Sequence, residues 1–225
     1  DVRCAVRWMR ANAETLNLDP AAIGAVGQSA GGHLALMLGC AEPPPLPEDA
    51  DHAPYDSEVQ AVVAYYAPSD LRTKSVRALD PVTKWLGGTY DEIPETYAEA
   101  SPVTHVSADD PPTLLFHGTV DRVVPVEQSE RMCARLTDAG VPCVFDPIPG
   151  WDHMLEVHRE VNAHCMHVQD RFLDVFLRRQ QTPTEEPGAP APQQPPEATP
   201  EETVETAAQE ETPAAKTDEP PAEAR

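Results

Sequence analysis

Four short apolar segments alternate with helical segments along the first 180 residues, and this alternation constrains the fold most strongly. The apolar segments are residues 22–26, 59–67, 113–117 and 142–146. The second of them is apolar on both faces, as strands buried in a parallel sheet are, and parallel strands need helices to cross between them. The sequence therefore predicts an α/β fold with a mostly parallel sheet and helices on both of its faces.

Apolar residues repeated at helical spacing predict the crossing helices. We expect helices at residues 2–16, 30–40, 126–139 and 154–178, with shorter ones near 82–86 and 94–100. Residues 41–58 contain five prolines and six acidic residues without a Lys or Arg, which indicates a solvated loop.

The last 45 residues, 181–225, differ in composition from the rest of the chain. They hold 10 of the 26 prolines, 11 of the 38 acidic residues, two of the 16 basic residues and no aromatic residue. Such a segment buries too little apolar surface to offset its loss of conformational entropy. We therefore expect one packed domain at residues 1–180 and a disordered acidic tail at 181–225.

The net charge excludes two classes of partner. The chain carries −22, and the tail accounts for 2 − 11 = −9 of it, which leaves −13 on residues 1–180. This excess repels nucleic acids and anionic membrane surfaces. The sequence also lacks an apolar run of the ~20 residues that span a bilayer. It does not start with a basic and then apolar signal region, and it begins at Asp1, as a processed product or a fragment would.

Five cysteines are scattered singly along the chain, at positions 4, 40, 133, 143 and 165. Their odd number and wide spacing argue against a zinc site and against a dense disulfide scaffold. His164 and His167, which flank Cys165 on the last predicted helix, lack a carboxylate partner and are interpreted as solvated surface. We expect no metal and no organic cofactor.

The motif Gly27-x-Ser29-x-Gly31, between the first predicted strand and a helix, indicates a serine nucleophile. Such a serine projects from a sharp turn, where side chains two residues away would collide, so glycine is expected at positions 27 and 31. The N–H of Ala30, at the start of the helix, would point at a developing oxyanion. The alternative is a glycine-rich turn in which Ser29 only caps the helix.

A serine nucleophile needs a base, and the base needs a carboxylate that orients it. His153 lies in the loop after the fourth predicted strand, and Asp121 in the loop after the third. The chain order Ser…Asp…His is that of the α/β-hydrolases. The sequence therefore predicts a triad of Ser29, Asp121 and His153, against the alternative that the His and the Asp are incidental loop residues.

Other residues near these loops compete for a role. Asp70, after the second strand, is the alternative orienting carboxylate, whereas Asp152 adjoins the base too closely in sequence to reach the outer ring nitrogen. We expect His33 to pack or to form a hydrogen bond on the helix after the elbow, and His117 to support the Asp121 loop. Trp151, beside the base, is a possible wall of an acyl or aryl pocket, and the alternative is core packing.

Four segments of the chain resemble the esterase/lipase branch of the α/β-hydrolases. The nearest group is the bacterial carbohydrate-esterase-like proteins, which include acetyl-xylan and feruloyl esterases and hormone-sensitive-lipase relatives. The segments are residues 27–34 (GQSAGGHL), 100–102 (ASP), 112–118 (PTLLFHG) and 121–125 (DRVVP), and the resemblance covers about residues 1–178. Its nucleophile, acid and base correspond to Ser29, Asp121 and His153.

The resemblance implies a serine hydrolase that cleaves short-acyl or carbohydrate-linked esters through an acyl-enzyme. An arylformamidase and a prolyl-oligopeptidase-type peptidase are alternatives on the same fold, although Ala30 and His33 favour an esterase, since those peptidases place an aromatic residue after the nucleophile. A non-catalytic binding module or an inactive fragment is the alternative from another class. Esterases of this type are often exported, which would fit a secreted or periplasmic location.

The resemblance also implies a departure at the start of the chain. Enzymes of this kind carry several strands and a His-Gly-Gly-type loop before the nucleophile, and here 28 residues precede Ser29. We therefore expect a carboxyl-terminal fragment that lacks an oxyanion donor, is poorly active alone and leaves its first strand as an exposed edge.

Overall fold

The sheet has four parallel strands in the order β1–β2–β3–β4. The computed structural model describes residues 1–47 and 50–178. Its strands are β1 (Gly24–Gln28), β2 (Ala61–Tyr65), β3 (Thr113–Gly118) and β4 (Cys143–Ile148). The predicted parallel α/β fold is confirmed. The first strand runs two residues further than predicted, because Gly27 and Gln28 still pair with Ala64 and Tyr65 of β2.

Helices connect the strands as the apolar spacing predicts. They are α1 (Val2–Ala11), α2 (Ala13–Leu16), α3 (Ala30–Cys40), α4 (Lys74–Arg77), α5 (Asp80–Leu86), α6 (Pro94–Glu99), α7 (Glu127–Asp138) and α8 (Arg159–Leu177). Two 3₁₀ segments, Pro102–Thr104 and Leu155–Val157, join them. Among the helices described here, none has both the length and the apolar composition needed to cross a membrane.

The sheet is covered on both faces, and β2 divides its side chains between them. Val62 and Ala64 belong to a core cluster with residues of α3 and α7, whereas Ala61 and Val63 belong to a cluster with residues of α8. A smaller cluster, centred on Leu71, Val76 and Tyr97, lies under α4–α6. Since alternate residues of a strand face opposite sides, this division follows from the apolar run of β2.

Two predicted helices differ in detail from the structure. The helix expected over residues 2–16 is broken at Asn12, whose side-chain amide donates to the Trp8 carbonyl at 2.8 Å and so competes with the backbone ladder. The last helix begins at Arg159 rather than at residue 154, because Met154 is left-handed (φ 65°) and a 3₁₀ turn follows it. The predicted domain boundary at residue 180 and the tail at 181–225 lie outside the described residues.

β1 is an outer strand of the described sheet, as the sequence led us to expect for an exposed edge. The Val26 side chain is 51% exposed there. Val2, Val6 and Met9 of α1 line an apolar groove along the same strand. The apolar stripe of α1 therefore covers the edge of the sheet only in part.

A disulfide joins Cys133 of α7 to Cys143 of β4, with 5.6 Å between the two Cα atoms. Replacing both cysteines by serine is expected to lower the free energy of unfolding by about 2–3 kcal/mol, because the bond closes a short loop in the unfolded chain. Urea unfolding without reductant measures this change. Cys4→Ser, which alters an exposed free cysteine, is the matched control. Equal stability of the double variant and the control would contradict the prediction.

Candidate active site

Ser29 occupies a strained turn between β1 and α3. Its φ of 50° and ψ of −119° lie in a region that non-glycine residues rarely adopt, at a cost of about 1–3 kcal/mol. Two backbone hydrogen bonds hold the turn, from the Ser29 N–H to the Tyr65 carbonyl at 2.9 Å and from the His33 N–H to the Ser29 carbonyl at 3.0 Å. The turn presents the Ser29 side chain at the carboxyl edge of the sheet.

The two glycines of the elbow have different roles. A Cβ at Gly27 would lie 2.1 Å from the Gly31 carbonyl oxygen, so this position needs glycine. A Cβ at Gly31 would meet no other atom within 4 Å, and the steric reason that the sequence suggested for Gly31 is wrong. The close approach is between Gly27 at the end of β1 and the backbone of Gly31 in α3.

This asymmetry predicts opposite outcomes for two alanine substitutions. Gly27→Ala is expected to destabilise the protein by at least about 3 kcal/mol, because backbone atoms must move to admit the new methyl group. Gly31→Ala is the matched control and is expected to be neutral or to stabilise by up to ~1 kcal/mol, since alanine favours a helix more than glycine. Thermal unfolding of both variants measures the difference, and equal losses would contradict the assignment.

The structure brings the three predicted residues together at this edge. The His153 Nε2 lies 3.0 Å from the Ser29 Oγ, and the His153 Nδ1 lies 2.7 Å from the Asp121 Oδ2. With the ring proton on Nδ1, His153 donates to Asp121 and accepts from the Ser29 hydroxyl. The arrangement can remove a proton from Ser29 as that hydroxyl attacks an electrophile.

Asp121 is held as a buried carboxylate. Its Oδ1 accepts the N–H groups of Val123 and Val124 at 2.8 and 2.9 Å, and its side chain is fully buried. Burial is the largest single influence and acts to raise its pKa. Hydrogen bonds from His117, His153 and the two N–H groups together outweigh burial and lower the pKa of Asp121 to about 2. The group is therefore ionised at neutral pH.

His117 supports the Asp121 loop, as the sequence suggested. Its fully buried Nε2 donates to the Val124 carbonyl at 2.8 Å and lies 3.3 Å from the Asp121 Oδ2. Its Nδ1 accepts the Ser129 hydroxyl at 2.7 Å. Both ring nitrogens of His117 thus have hydrogen-bond partners in the surrounding structure. His117 therefore holds the Asp121 carboxylate in place and does not contact Ser29.

Hydrogen bonds and close packing hold the loops after β3 and β4 together. Asp152 accepts the backbone N–H of Arg122 at 2.9 Å and its guanidinium at 2.8 Å. Gly118 packs so closely that a Cβ there would lie 2.2 Å from the Trp151 carbonyl oxygen. Asp152 therefore fixes the loop that carries His153, while its carboxylate does not contact the imidazole.

Tyr66, directly after β2, packs against the ring of His153. Its ring centroid lies 4.3 Å from that of His153, and its hydroxyl donates to the Glu156 carboxylate at 2.5 Å. Burial, followed by the hydrogen bond to Glu156, raises the pKa of Tyr66 above its ordinary value. Because Glu156 lies three residues after His153, this bond anchors the loop that carries the base.

The Tyr66–Glu156 hydrogen bond predicts the effect of removing the Tyr66 hydroxyl. Tyr66→Phe keeps the ring against His153 and is expected to lower kcat about tenfold, with KM unchanged, for any reaction in which His153 takes the Ser29 proton, because a displaced His153 affects only the chemical step. Steady-state kinetics measures kcat and KM, and thermal unfolding checks that the variant remains folded. Tyr90→Phe, which alters a tyrosine in the segment before α6, is the control. A rise in KM with constant kcat would contradict a positioning role.

The competing residues lie in other networks. Asp70 pairs with Arg72 at 2.8 Å, not with His153, so it does not orient the base. His33 donates from Nε2 to the Ala100 carbonyl at 2.7 Å. The sequence interpretation that His164 lacks a carboxylate partner is wrong, because its Nε2 lies 2.8 Å from the Asp146 Oδ2. Within residues 1–47 and 50–178, no group of three or more His, Cys, Asp or Glu side chains is placed to hold a metal ion.

An apolar cavity of about 300 Å³ opens beside Ala30. Its walls come from α3, from the segment after β2 and from α5: Ala30, His33, Leu34, Pro68, Leu71, Pro81, Val82 and Trp85. Trp151, the predicted pocket residue, lines a different cavity, where its ring lies 4.4 Å from that of His158 and packs against the α8 cluster. The tryptophan of the cavity beside Ala30 is therefore Trp85.

Comparison with known proteins identifies the family. A family model described as BD-FAE matches residues 1–136. The chain belongs to the BD-FAE family. The match runs from α1 into α7 and so includes Ser29 and Asp121, while His153 lies beyond it.

Esterases of Mycobacterium tuberculosis are similar to this BD-FAE chain. Esterase LipC is 36% identical over 146 residues, which cover 60% of this chain and 35% of LipC. The probable carboxylic ester hydrolase LipM is 32% identical over 185 residues, which cover 77% of this chain and 42% of LipM. The chain thus spans less than half the length of these curated relatives.

Solved esterases share the fold. A truncated carbohydrate esterase from gut microbiota superposes with a TM-score of 0.66 at 27% identity, over 80% of this chain and 67% of that chain. Thermogutta terrifontis esterase 2, phosphoramylated by tabun, gives 0.66 at 28% identity, over 79% and 64%. The resemblance of this BD-FAE chain to α/β-hydrolase esterases is therefore confirmed.

Sequence reasoning missed two residues of this BD-FAE site. Tyr66 ends an apolar run and reads as core, although its place after β2 puts it at the same sheet edge as the predicted triad. Trp85 lies on a seven-residue helix whose packing position depends on the irregular segment 69–110. Only the first of these carried a usable signal in the sequence.

Proposed function

We propose that the protein hydrolyses carboxylic esters through an acyl-enzyme formed on Ser29. The observation that carries the proposal is the continuous hydrogen-bonded chain from Ser29 through His153 to the buried Asp121, with distances of 3.0 and 2.7 Å. This geometry matches the roles of nucleophile, general base and orienting carboxylate.

In the acylation step, the Ser29 Oγ attacks the acyl carbon while its proton passes to the His153 Nε2. Asp121 stabilises the imidazolium that forms, because it is an ionised carboxylate 2.7 Å from the other ring nitrogen. The imidazolium then returns the proton to the alcohol oxygen as the ester C–O bond breaks, and the acyl group remains on Ser29.

Hydrolysis of the acyl-enzyme follows the same path with water. His153 takes a proton from the water as its oxygen attacks the acyl carbon, and the proton is returned to the Ser29 Oγ as the acid leaves. The Ala30 N–H, in the first turn of α3, would stabilise the oxyanion of both tetrahedral intermediates, aided by the helix N-terminus. The proposed chemistry uses no metal and no organic cofactor.

Related proteins support a reactive nucleophile and a short acyl group. Thermogutta terrifontis esterase 2 has been solved phosphoramylated by tabun, phosphorylated by paraoxon, and with propionate or butyrate bound. Tabun and paraoxon are phosphorus electrophiles that react with activated nucleophiles. By analogy, we infer that Ser29 is the group modified by such reagents here and that short-chain esters are substrates.

A substrate panel tests the reaction class. We expect the purified chain to hydrolyse p-nitrophenyl butyrate at a low rate, in line with the expectation from the sequence, and to leave N-formylkynurenine and a prolyl p-nitroanilide intact. Cleavage of the formamide in preference to the ester would assign the chain as an arylformamidase instead of an esterase. Preferential cleavage of the anilide would assign it as a peptidase. Absence of turnover of all three, with a folded chain, would favour a non-catalytic binding module or an inactive fragment.

A further inference from the structure

The cavity beside Ala30 has mostly apolar walls. Its volume of about 300 Å³ lies at the small end of the range for ligand pockets. His33 is its one titratable wall residue, and that ring already donates from Nε2 to the Ala100 carbonyl and packs edge-on against Trp85, with 5.4 Å between centroids. The cavity therefore offers apolar contact to a ligand rather than a charge or an ion-pair partner.

The position of the cavity distinguishes the two halves of an ester. The leaving alcohol must lie near the His153 Nε2, which returns its proton, whereas the acyl carbon lies between Ser29 and the oxyanion donor. The cavity walls belong to α3, α5 and the segment after β2, with Ala30 among them. These elements lie on the oxyanion side of Ser29 rather than in the loops that carry Asp121 and His153.

We propose that this cavity binds the acyl chain of the ester and that its walls determine the preferred chain length. This inference rests on the proposed hydrolysis at Ser29. Val82 and Trp85 of α5 form the wall opposite α3, and the 59% exposure of Trp85 places part of its ring at the entrance. An exposed tryptophan at a cavity mouth is explained by contact with an apolar ligand.

The two α5 residues should therefore determine chain-length preference. Each methylene that enters an apolar site contributes about 0.8 kcal/mol, which is about fourfold in kcat/KM. Val82→Trp fills the cavity and should exclude about three methylenes, while Trp85→Ala removes part of the wall that the chain contacts. Neither change touches Ser29, Asp121 or His153.

The test compares p-nitrophenyl acetate, butyrate and hexanoate on the 225-residue chain. Val82→Trp is expected to lower the ratio of kcat/KM for hexanoate to that for acetate about 50-fold, and Trp85→Ala about tenfold. Val144→Trp, on an exposed position of β4, is the matched control and should leave the ratio unchanged. An unchanged ratio in both α5 variants would overturn the proposal, as would equal changes when the alcohol rather than the acyl group is lengthened.

A binding measurement separates this inference from the proposed function. In the Ser29→Ala chain, saturation-transfer NMR should detect methyl hexanoate, and Val82→Trp added to that background should abolish the signal. Wild-type turnover together with no Val82-dependent binding would overturn the cavity assignment alone. No turnover together with Val82-dependent binding would overturn the hydrolysis and support the cavity.

Discussion

Ser29→Ala is expected to reduce kcat/KM for p-nitrophenyl butyrate by at least about 10⁴-fold, because serine hydrolases lose this much or more when the nucleophile is removed. The Oγ is the only atom deleted, and it lies 3.0 Å from the His153 Nε2. The φ of 50° at position 29 strains alanine as it strains serine, so the free energy of unfolding should remain within about 1 kcal/mol of wild type.

The matched control for this variant is Ser75→Ala, which removes a hydroxyl from the exposed face of α4. It should leave kcat/KM within twofold of wild type. Wild-type turnover by the Ser29→Ala protein, measured on a preparation free of other esterases, would contradict the assignment of the nucleophile.

Asp121→Asn is expected to reduce kcat about 10⁴-fold with little change in KM. The amide retains an oxygen that can accept the N–H groups of Val123 and Val124, but its NH₂ group favours the wrong tautomer of His153. Asp70→Asn is the matched control, because the Asp70 carboxylate pairs with Arg72 and does not contact the base. Equal losses in the two variants would contradict the assignment of Asp121 as the orienting carboxylate.

The difference in free energy of unfolding between wild type and Asp121→Asn should also depend on pH. The folded-state pKa of Asp121 is about 2, below its ordinary 3.8. Its ionised form therefore stabilises the folded protein above about pH 4, and this contribution is lost as the pH falls through about 2. Urea unfolding should show a stability gap between wild type and Asp121→Asn at pH 5–7 that narrows between pH 4 and pH 2. A gap independent of pH would contradict the folded-state ionisation.

The sheet and the triad were predictable from the sequence for one physical reason. Parallel strands end at the same edge, so residues in the loops after β1, β3 and β4 lie near one another whatever the sequence between them. Ser29, Asp121 and His153 each follow a strand, and local pattern was enough to place them. The charge of Asp121, by contrast, depends on distances that a linear pattern does not contain.

Features that depend on packing across the chain were not predictable. The Tyr66–Glu156 hydrogen bond joins residues 90 positions apart. The disulfide of Cys133 with Cys143 needs the helix α7 to pack beside β4, which the spacing of single cysteines does not encode. Gly31 was assigned a steric role by symmetry with Gly27, although only the Gly27 side of the elbow is crowded.

Covalent labelling by a fluorophosphonate tests the central claim most directly, since it reports an activated serine even if turnover is slow. We predict that the probe modifies one serine of the 225-residue chain, that peptide mapping places the adduct on Ser29, and that labelling is lost in Ser29→Ala and slowed at least about 100-fold in His153→Ala. An unlabelled, folded chain, or an adduct on another serine that persists in Ser29→Ala, would contradict the account.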